Sequence, residues 1–363
     1  MSSPIKVAQL LPRMHDGGAE RGAVDLAREH HKSGAAEHVI LAEPGRLSAE
    51  AIKHGARFMS LPLASKNIFT AYSRARQLQK VLRAVSPDIV HVRSRVPAWL
   101  HFVANKKLNI PTVATAHGIN SVSFYSKIMT RADAVICPGA AVAEHLQRAY
   151  GAKHLTVIGR GVDVEYFDPA KTSHTAADEL RKEWDVQDNT VLLSVGRLSE
   201  QKGHENLLHA LAKLPPHFVG VFVGEGRRRQ RLISLARQLG VATRARFVGT
   251  RADMREVYAM SDVVLSCAIY PESFGRTIAE ALAMQKPVIA AAHGGAKDII
   301  TDDESGGVLV PPSDVGALVD ALQKPMPNAE HSRERILKRF TALKMAEETL
   351  AVYKKILAEK GEG

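Results

Sequence analysis

Cysteine is scarce in this sequence, with two residues in 363. Cys137 and Cys267 stand alone inside apolar, strand-like runs, so no pair or cluster has the spacing of metal ligands. Isolated cysteines in a chain of this length indicate buried thiols, which are typical of a reducing compartment, and they argue against a disulfide framework.

Long apolar runs are absent as well. No window approaches the roughly 18 consecutive apolar residues of a membrane-spanning helix. The apolar run at residues 5–11 is short and β-branched, and a loop follows it where a signal peptide would have a cleavage site. We therefore predict a cytoplasmic protein, whose contact with a membrane would be peripheral and at the inner face.

Several nucleotide-binding signatures are also missing. The chain has neither the Gly-x-Gly-x-x-Gly dinucleotide pattern nor the Gly-Lys-Ser/Thr of a Walker A loop. It lacks helix-turn-helix, zinc-finger and aromatic RNA-binding signatures, so we expect no nucleic-acid partner.

Acidic residues are few in the first part of the chain. Residues 1–159 carry nearly all of the formal net charge of +11. A one-sided positive field favours phosphorylated partners or an anionic membrane surface. A helix predicted over residues 72–85 combines an apolar face with basic residues, namely Arg74, Arg76, Lys80 and Arg83. It either lies on anionic lipid or a phosphorylated glycan, or is an ordinary docked helix with a solvated basic side.

Apolar strands alternate with helical patterns along the whole chain, which at 363 residues is long enough for two domains. The first series of strands is predicted at residues 6–11, 37–42, 57–61, 88–92, 112–116, 134–137 and 155–158. The second is predicted at residues 191–195, 219–223, 246–248, 263–267, 288–291 and 307–310. Continuous Val/Ile/Leu runs indicate parallel strands buried on both faces. The predicted fold class is therefore α/β, with two doubly wound, Rossmann-like sheets.

The alternation lapses between residues 159 and 188, which marks the domain boundary. We predict a first domain over residues 1–165 and a second over residues 166–340. A final helix within residues 341–363 is expected to cross back to the first domain. Such sheets bind ligands outside the carboxyl ends of their strands, so the ligand is expected in a cleft between the domains.

Two loops after strands have the composition of ligand-binding segments. Gly17 and Gly18 precede an amphipathic helix, where the backbone can approach a ligand and the helix start offers free amides. Such a pair also occurs in tight turns without a ligand. Arg197 and Lys202 lie in a loop ahead of another helix. A guanidinium and an ammonium group suit a diphosphate, although a solvated charged loop would look the same.

The most specific segment covers residues 271–280, Pro-Glu-Ser-Phe-Gly-Arg-Thr-Ile-Ala-Glu. Glu272 precedes a helix predicted from about residue 274 to residue 284, and Glu280 lies two turns along it. The first amides of this helix have no acceptor within it and can serve a ligand oxygen. Two carboxylates at this separation could bind different hydroxyl groups of one elongated ligand. Alternatively, Glu272 offsets the helix dipole and Glu280 lies on a solvated face.

These motifs resemble family 4 of the glycosyltransferases, the retaining group with the GT-B fold. The family's Glu-x7-Glu signature corresponds to Glu272 and Glu280. The Gly-Gly loop, His117 after Thr115-Ala, the Arg160-Gly-Val-Asp segment and the Arg/Lys loop follow in the family's order, so the resemblance covers almost the whole chain. Departures such as Arg160 in place of the common asparagine leave the nucleotide base open.

The resemblance implies a nucleotide-diphosphate sugar as co-substrate, with UDP favoured, and no cofactor. It places the donor site on Gly17, Gly18, Arg197, Lys202, Phe247, Thr250, Glu272, Ser273, Phe274, Gly275, Arg276 and Glu280. Within that set, Glu280 would bind the ribose hydroxyls, and Phe247 to Thr250 would contact the base. The implied catalytic residues are Glu272 and His117 at the donor sugar, and Arg197 and Lys202 at the departing diphosphate.

None of the 16 aspartates forms the Asp-x-Asp pair with which many transferases hold a divalent ion. The Arg/Lys loop and helix dipoles would then stabilise the leaving diphosphate, so we predict a metal-independent enzyme. Retention could proceed through a carboxylate nucleophile. The resemblance instead implies front-face attack in one ion-pair-like step, and no residue decides between the two.

Arg93 and Arg95 follow a predicted strand and are expected at its ligand-binding end. The surrounding segment, residues 91–99, is similar to bacterial family 4 enzymes that build lipopolysaccharide core. This implies a glycan or glycolipid acceptor with an acidic or phosphate group, bound by Arg93, Arg95 and His117.

Other functions stay open. The doubly wound pattern alone would suit an NAD-dependent oxidoreductase. A nucleotide-sugar epimerase, a phosphorylase or a transferase acting on a soluble small molecule would share the GT-B architecture. A non-catalytic binding protein could retain the fold, although every implied donor-site residue is present. Donor sugar, acceptor linkage and oligomeric state have no sequence signal.

Overall fold

The computed structural model describes residues 3–15, 17–301 and 305–361. The chain divides into two compact units. The first unit contains the described residues up to Gly161 and the helix that begins at Ala342, and the second runs from Val162 to Thr341. The first unit therefore ends at Gly161, four residues before the predicted boundary at residue 165.

The described part of the first unit contains a seven-stranded parallel sheet. Its strands are β1 (Ile5–Arg13), β2 (Ala36–Glu43), β3 (Arg57–Ser60), β4 (Ile89–Val92), β5 (Thr112–Thr115), β6 (Ala134–Cys137) and β7 (Leu155–Val157). The strand order is β3-β2-β1-β4-β5-β6-β7. Winding reverses after β3, because β4 returns to pair with β1, so the topological switch point lies between β1 and β4.

Helices connect these strands and cover the sheet. They are α1 (Gly18–Ser33), α2 (Leu47–Lys53), α3 (Ala71–Val85), α4 (Arg95–Asn105), α5 (Phe124–Lys127) and α6 (Ala140–Tyr150). Helix α3 matches the predicted basic helix, but one residue of its basic set was assigned wrongly. Arg74 is buried, and its guanidinium donates to the carbonyl oxygens of Ser65 and Asn67 at 2.8 Å each. It ties down the preceding loop and does not face solvent.

The second unit repeats the architecture with a six-stranded parallel sheet in its described part. Its strands are β8 (Thr190–Val195), β9 (Phe218–Val223), β10 (Ala245–Gly249), β11 (Val263–Ser266), β12 (Val288–Ala291) and β13 (Gly307–Val310). Its helices are α7 (His174–Glu183), α8 (His204–Leu211), α9 (Arg229–Gln238), α10 (Met254–Ala259), α11 (Arg276–Ala283), α12 (Ala296–Ile299), α13 (Val315–Leu322) and α14 (Ser332–Arg339). The order β10-β9-β8-β11-β12-β13 puts the switch point between β8 and β11.

The last helix, α15 (Ala342–Gly361), belongs to the first unit. It packs against α1, where His30 Nε2 lies 2.9 Å from the carbonyl oxygen of Ala346. Tyr353 is fully buried, and its hydroxyl lies 2.6 Å from Nδ1 of His91 on β4. The helix therefore adds side chains to the core beneath the first sheet. None of the described helices has the length and apolar content needed to cross a membrane.

Each predicted strand overlaps an observed one, because strands such as β4, β9 and β12 are buried along their whole length. Both cysteines are buried as expected, and burial raises the pKa of each thiol to about 12. The helix predicted from residue 274 begins later, at Arg276, because Gly275 has a left-handed backbone with φ of 99°.

Candidate functional site

The switch point of the second sheet carries an ion pair between two predicted site residues. The loop after β8 supplies Lys202 and the loop after β11 supplies Glu272, and Lys202 Nζ lies 2.5 Å from Glu272 Oε1. Their side chains are 24% and 18% exposed, so a ligand can reach them. A cation and a carboxylate thus meet at the strand ends where such sheets bind ligands.

The backbone around Glu272 is fixed by a glycine pair that the sequence interpretation left without a role. Gly295 N donates to the carbonyl oxygen of Glu272 at 2.9 Å. A Cβ atom on Gly294 would lie 2.4 Å from that oxygen, and one on Gly295 would lie 2.0 Å from the carbonyl oxygen of Phe274. Only glycines let the backbone pass this close to those carbonyl oxygens. The sequence signal for this contact was the pair of adjacent glycines that follows β12.

Free amides lie beside this ion pair. In the described part of the chain, the backbone amides of Ser273, Phe274 and Gly275 have no hydrogen-bond acceptor. They precede α11, whose first residue, Arg276, follows the left-handed Gly275. Phe274 is buried at 2% exposure and anchors the segment in the core. Such amides suit oxygen atoms of a sugar or phosphate.

Glu280 lies inside the second unit, at 7% exposure, so the alternative of a solvated face residue is wrong. Its Oε2 accepts a hydrogen bond from the Tyr258 hydroxyl at 2.8 Å, and its Oε1 accepts one from Arg276 Nε at 2.9 Å. Burial raises the pKa of Tyr258, which keeps its hydroxyl protonated and able to donate. The Arg276 contact follows from i,i+4 spacing, whereas nothing in the sequence pointed to Tyr258.

The remaining predicted donor residues are not joined to this pair by hydrogen bonds. The exposed guanidinium of Arg197 has no partner among the described residues. The ring of Phe247 on β10 stacks on Phe222 with centroids 4.7 Å apart, and Thr250 is exposed just after that strand. The loop of Arg197 is nevertheless anchored, since His204 Nε2 lies 3.2 Å from the Arg197 carbonyl oxygen. The sequence interpretation had assigned His204 no role.

At the first sheet, Gly18 opens α1 and lies against Arg160. A Cβ atom on Gly18 would lie 2.1 Å from Arg160 Nη1, and one on Gly17 would lie 2.1 Å from Glu20 Oε2. Arg160 Nη2 donates to His117 Nδ1 at 3.0 Å. Burial lowers the pKa of His117, so the neutral ring carries its proton on Nε2. That buried Nε2 has no partner in the described structure.

Arg93, the first of the two predicted acceptor arginines, follows β4 and is buried at 5% exposure. Its Nη1 donates to Gln9 Oε1 at 2.7 Å, and burial lowers its pKa to about 10. With Gly18, His117 and Arg160 it lines a cavity of about 20 Å³, the size of one water molecule. The structure thus brings Arg93 and His117 to one small cavity.

Arg95 lies apart from that cavity, at the first position of α4. Its Nη1 donates to Ser126 Oγ at 3.1 Å, and its guanidinium lies over the Tyr125 ring, 5.3 Å from the centroid. Arg93 and Arg95, two positions apart in the sequence, therefore lie in different surroundings, because the chain turns from strand to helix between them.

A chain of buried hydrogen bonds supports Arg93 from behind. His30 Nε2 donates to the Ala346 carbonyl, so His30 Nδ1 accepts from His38 Nε2 at 2.8 Å. His38 Nδ1 then accepts a hydrogen bond from Gln9 Nε2 at 2.9 Å. The side-chain oxygen of Gln9, Oε1, accepts one from Arg93 Nη1. Both rings are neutral in this arrangement, and burial lowers the pKa of each. Residues from β1, β2, α1 and α15 meet here, so no local sequence pattern indicated the network.

Two doubly wound parallel sheets, with a cation, a carboxylate and free amides at the second switch point, are the architecture of a GT-B glycosyltransferase. Residues 16–166 match the family model described as Glycosyltransferase Family 4, and residues 176–339 match the one described as Glycosyl transferases group 1. The chain belongs to the family 4 glycosyltransferases.

Full-length relatives agree with this assignment. The chain is 29% identical to a GDP-mannose-dependent alpha-mannosyltransferase of Mycobacterium tuberculosis, over 91% of this chain and 88% of that protein. It is 24% identical to the lipopolysaccharide core biosynthesis glycosyltransferase LpsE of Rhizobium meliloti, over 95% and 97%. A solved glycosyltransferase structure from Rickettsia africae superposes with a TM-score of 0.87 at 29% identity, covering 98% and 99% of the two chains.

Proposed function

We propose that this glycosyltransferase is a retaining, metal-independent enzyme that moves a sugar from a nucleotide-diphosphate donor to a membrane-associated glycan or glycolipid. The reaction would belong to lipopolysaccharide core or related cell-envelope glycan synthesis. The observation that carries the donor half is the Lys202–Glu272 pair beside the free amides of Phe274 and Gly275. The cation stabilises a departing diphosphate, and the amides bind sugar hydroxyls.

Glu280 provides the nucleotide end of this donor site. Its carboxylate is oriented by Tyr258 and Arg276 from two sides, and each oxygen has remaining capacity to accept a bond from a ribose hydroxyl. A preformed, buried carboxylate binds a vicinal diol without reorganising. The Mycobacterium relative is named for GDP-mannose, so GDP stands beside the favoured UDP as a candidate nucleotide.

Glu280→Gln should weaken binding of the nucleoside diphosphate about 10-fold or more, since hydrogen bonds to charged groups contribute roughly 1.5–3 kcal/mol. Glutamine keeps the volume and a bond to Tyr258, so the unit should stay folded. Calorimetric titration with UDP, GDP, ADP, CMP and NAD, with and without EDTA, measures the effect and identifies the base. The control is Glu334→Gln, a glutamate that is 63% exposed in the same unit.

A single nucleoside diphosphate that binds equally well in EDTA and loses affinity in Glu280→Gln is the expected result. Binding of NAD alone, or of no nucleotide, would contradict the transferase proposal. Affinity that collapses in EDTA would contradict metal independence and leave the transferase intact.

The first unit, which is basic, is the part of the protein that we propose binds the acceptor. The name of the Rhizobium relative supports a lipopolysaccharide-core acceptor, and the excess of positive charge in residues 1–159 supports an anionic group on that acceptor. We expect Arg95→Ala to raise the KM for glycolipid acceptor several-fold, because a charge-assisted contact is removed. Slow hydrolysis of the donor, which uses water as acceptor, should be unchanged. Arg83→Ala, an exposed residue late in α3, is the matched control. An unaltered KM would remove Arg95 from the acceptor site.

A further inference from the structure

An apolar groove lies between the N-terminal end of α3 and the flank of α4 in the first unit. Its volume is about 500 Å³, within the range of about 300–1,000 Å³ typical of ligand pockets. The lining is dominated by apolar and aromatic side chains, among them Ile68, Tyr72, Val96, Trp99, Val103 and Tyr125. No donor-site residue lines it, so donor binding does not account for the groove; Arg95 of the proposed acceptor set lies over the lining residue Tyr125.

The rim of this groove exposes large hydrophobic side chains. Ile68 is 77% exposed, Phe69 is 92%, Tyr72 is 65% and Phe124 is 72%. A contiguous apolar patch of this kind marks an interaction site, whereas scattered exposed residues do not. The patch has an ordered floor, because Trp99 Nε1 donates to the Tyr125 carbonyl at 3.1 Å and its ring lies 5.4 Å from that of Phe124.

The charge around the groove has one sign. Residues 66–131 contain eleven lysines and arginines and a single acidic residue, Asp88. Lys66 lines the groove and is exposed, and the guanidinium groups of Arg76 and Arg95 lie over the lining rings of Tyr72 and Tyr125, 5.6 and 5.3 Å from their centroids. Basic side chains around exposed aromatics complement an anionic headgroup above a hydrocarbon chain.

We propose that the groove binds one acyl chain of an anionic membrane lipid, whose phosphate meets the basic rim. This names the membrane partner of the proposed function and rests on that function. Insertion of Phe69 and Phe124 would hold the first unit on the bilayer while the acyl chain packs against Trp99. The neighbouring helix α3 contributes its start to the groove, so the basic helix singled out in the sequence is one wall of a larger surface.

Trp99 reports directly on occupancy, because the chain has two tryptophans and the other, Trp184, is buried in the second unit. In a Trp184→Phe background, vesicles of phosphatidylcholine with phosphatidylglycerol brominated on its acyl chains should quench more than about half of the Trp99 emission. Pure phosphatidylcholine vesicles with the same bromination should quench little. If Trp184→Phe fails to fold, the difference between the native protein and Trp99→Phe gives the same signal.

Val103→Phe, which fills the groove from the flank of α4, should remove most of the quenching. Val157→Phe is the matched control, since Val157 is 51% exposed on β7 outside the groove. Equal quenching in both variants, or co-sedimentation with vesicles without quenching of Trp99, would overturn the groove proposal. Nucleoside diphosphate binding, measured in parallel, separates the two proposals: its absence in the native protein contradicts the transferase function, while its retention with an unoccupied groove contradicts only the lipid site.

Discussion

Lys202→Met should lower kcat for sugar transfer about 100- to 1,000-fold, the usual loss when a group that stabilises charge on a reacting oxygen is removed. Of the two cations in the loop after β8, Lys202 is the one that pairs with Glu272. The pair lies where β8 and β11 end. Methionine keeps the unbranched apolar stem and removes the charge. The measurement is kcat with the nucleotide sugar that calorimetry identifies. Because the interaction grows as the diphosphate leaves, kcat should fall much more than affinity for the donor.

The control must separate catalysis from folding. Lys202→Met leaves Glu272 without its cation, and that carboxylate is 18% exposed, so some stability is lost. Lys213→Met, at an exposed lysine just after α8, matches the substitution elsewhere in the same unit. Adding Glu272→Gln to Lys202→Met relieves the unpaired charge, so the double variant should regain the stability that Lys202→Met loses. Its kcat does not enter the comparison, because Glu272 is itself an implied catalytic residue. If Lys202→Met lost no more kcat than Lys213→Met, Lys202 would not stabilise the departing diphosphate.

The meeting of the two loops at the second switch point could be predicted because their sequence signals are local. Lys202 and Glu272 each follow a mainly apolar strand, and parallel strands bring their carboxyl ends to one edge. The environment of Glu280 could not be predicted in the same way. Its partner Tyr258 lies on α10, which shares no motif with α11, and only the packing of the two helices brings the hydroxyl to the carboxylate.

For Arg93, the sequence could predict the position of the residue but not its burial. Its position at the end of β4 was predictable, and so was its place at the ligand-binding edge. Its burial was not, because the side chain is held by Gln9 on β1 and lies over a core completed by α15. Tyr353, 260 positions further along the chain, contributes to the electrostatics of Arg93, and no spacing rule reaches that far.

Acidification should destabilise the protein steeply, because several histidines are buried as neutral rings. Burial lowers the pKa of His101 and of His204 to about 4, one in each unit. An unfolded imidazole takes up its proton near pH 6.5, so between pH 6.5 and 4 the unfolded state binds more protons than the folded one. Stability is therefore constant above this window and falls as the pH drops through it. Each of the two rings should reduce the free energy of unfolding by about 2 kcal/mol at pH 5.

The contacts of His101 and of the His30–His38 pair explain why these buried rings do not take up a second proton. His101 Nε2 pairs with Thr112 Oγ1 at 2.8 Å, while its buried Nδ1 has no acceptor in the described structure. A second N–H there would be desolvated without a hydrogen bond. In the His30–His38 pair, protonation of His30 would set two N–H groups against each other at 2.8 Å.

Urea unfolding at pH 7.5 and pH 5.0 measures this loss, and His101→Gln tests its origin. Glutamine can still hydrogen-bond to Thr112 but does not titrate, so the drop in unfolding free energy between the two pH values should shrink by about 2 kcal/mol. The absolute stability at pH 7.5 is expected to fall, which does not affect the comparison between pH values. His31→Gln, at an exposed histidine of α1, should leave the drop unchanged. An identical drop in His101→Gln and the native protein would assign the acid sensitivity to other groups. The His30–His38 pair would be the next to test, because its hydrogen bond requires an unprotonated Nδ1 on His30 and lies behind Gln9 and Arg93.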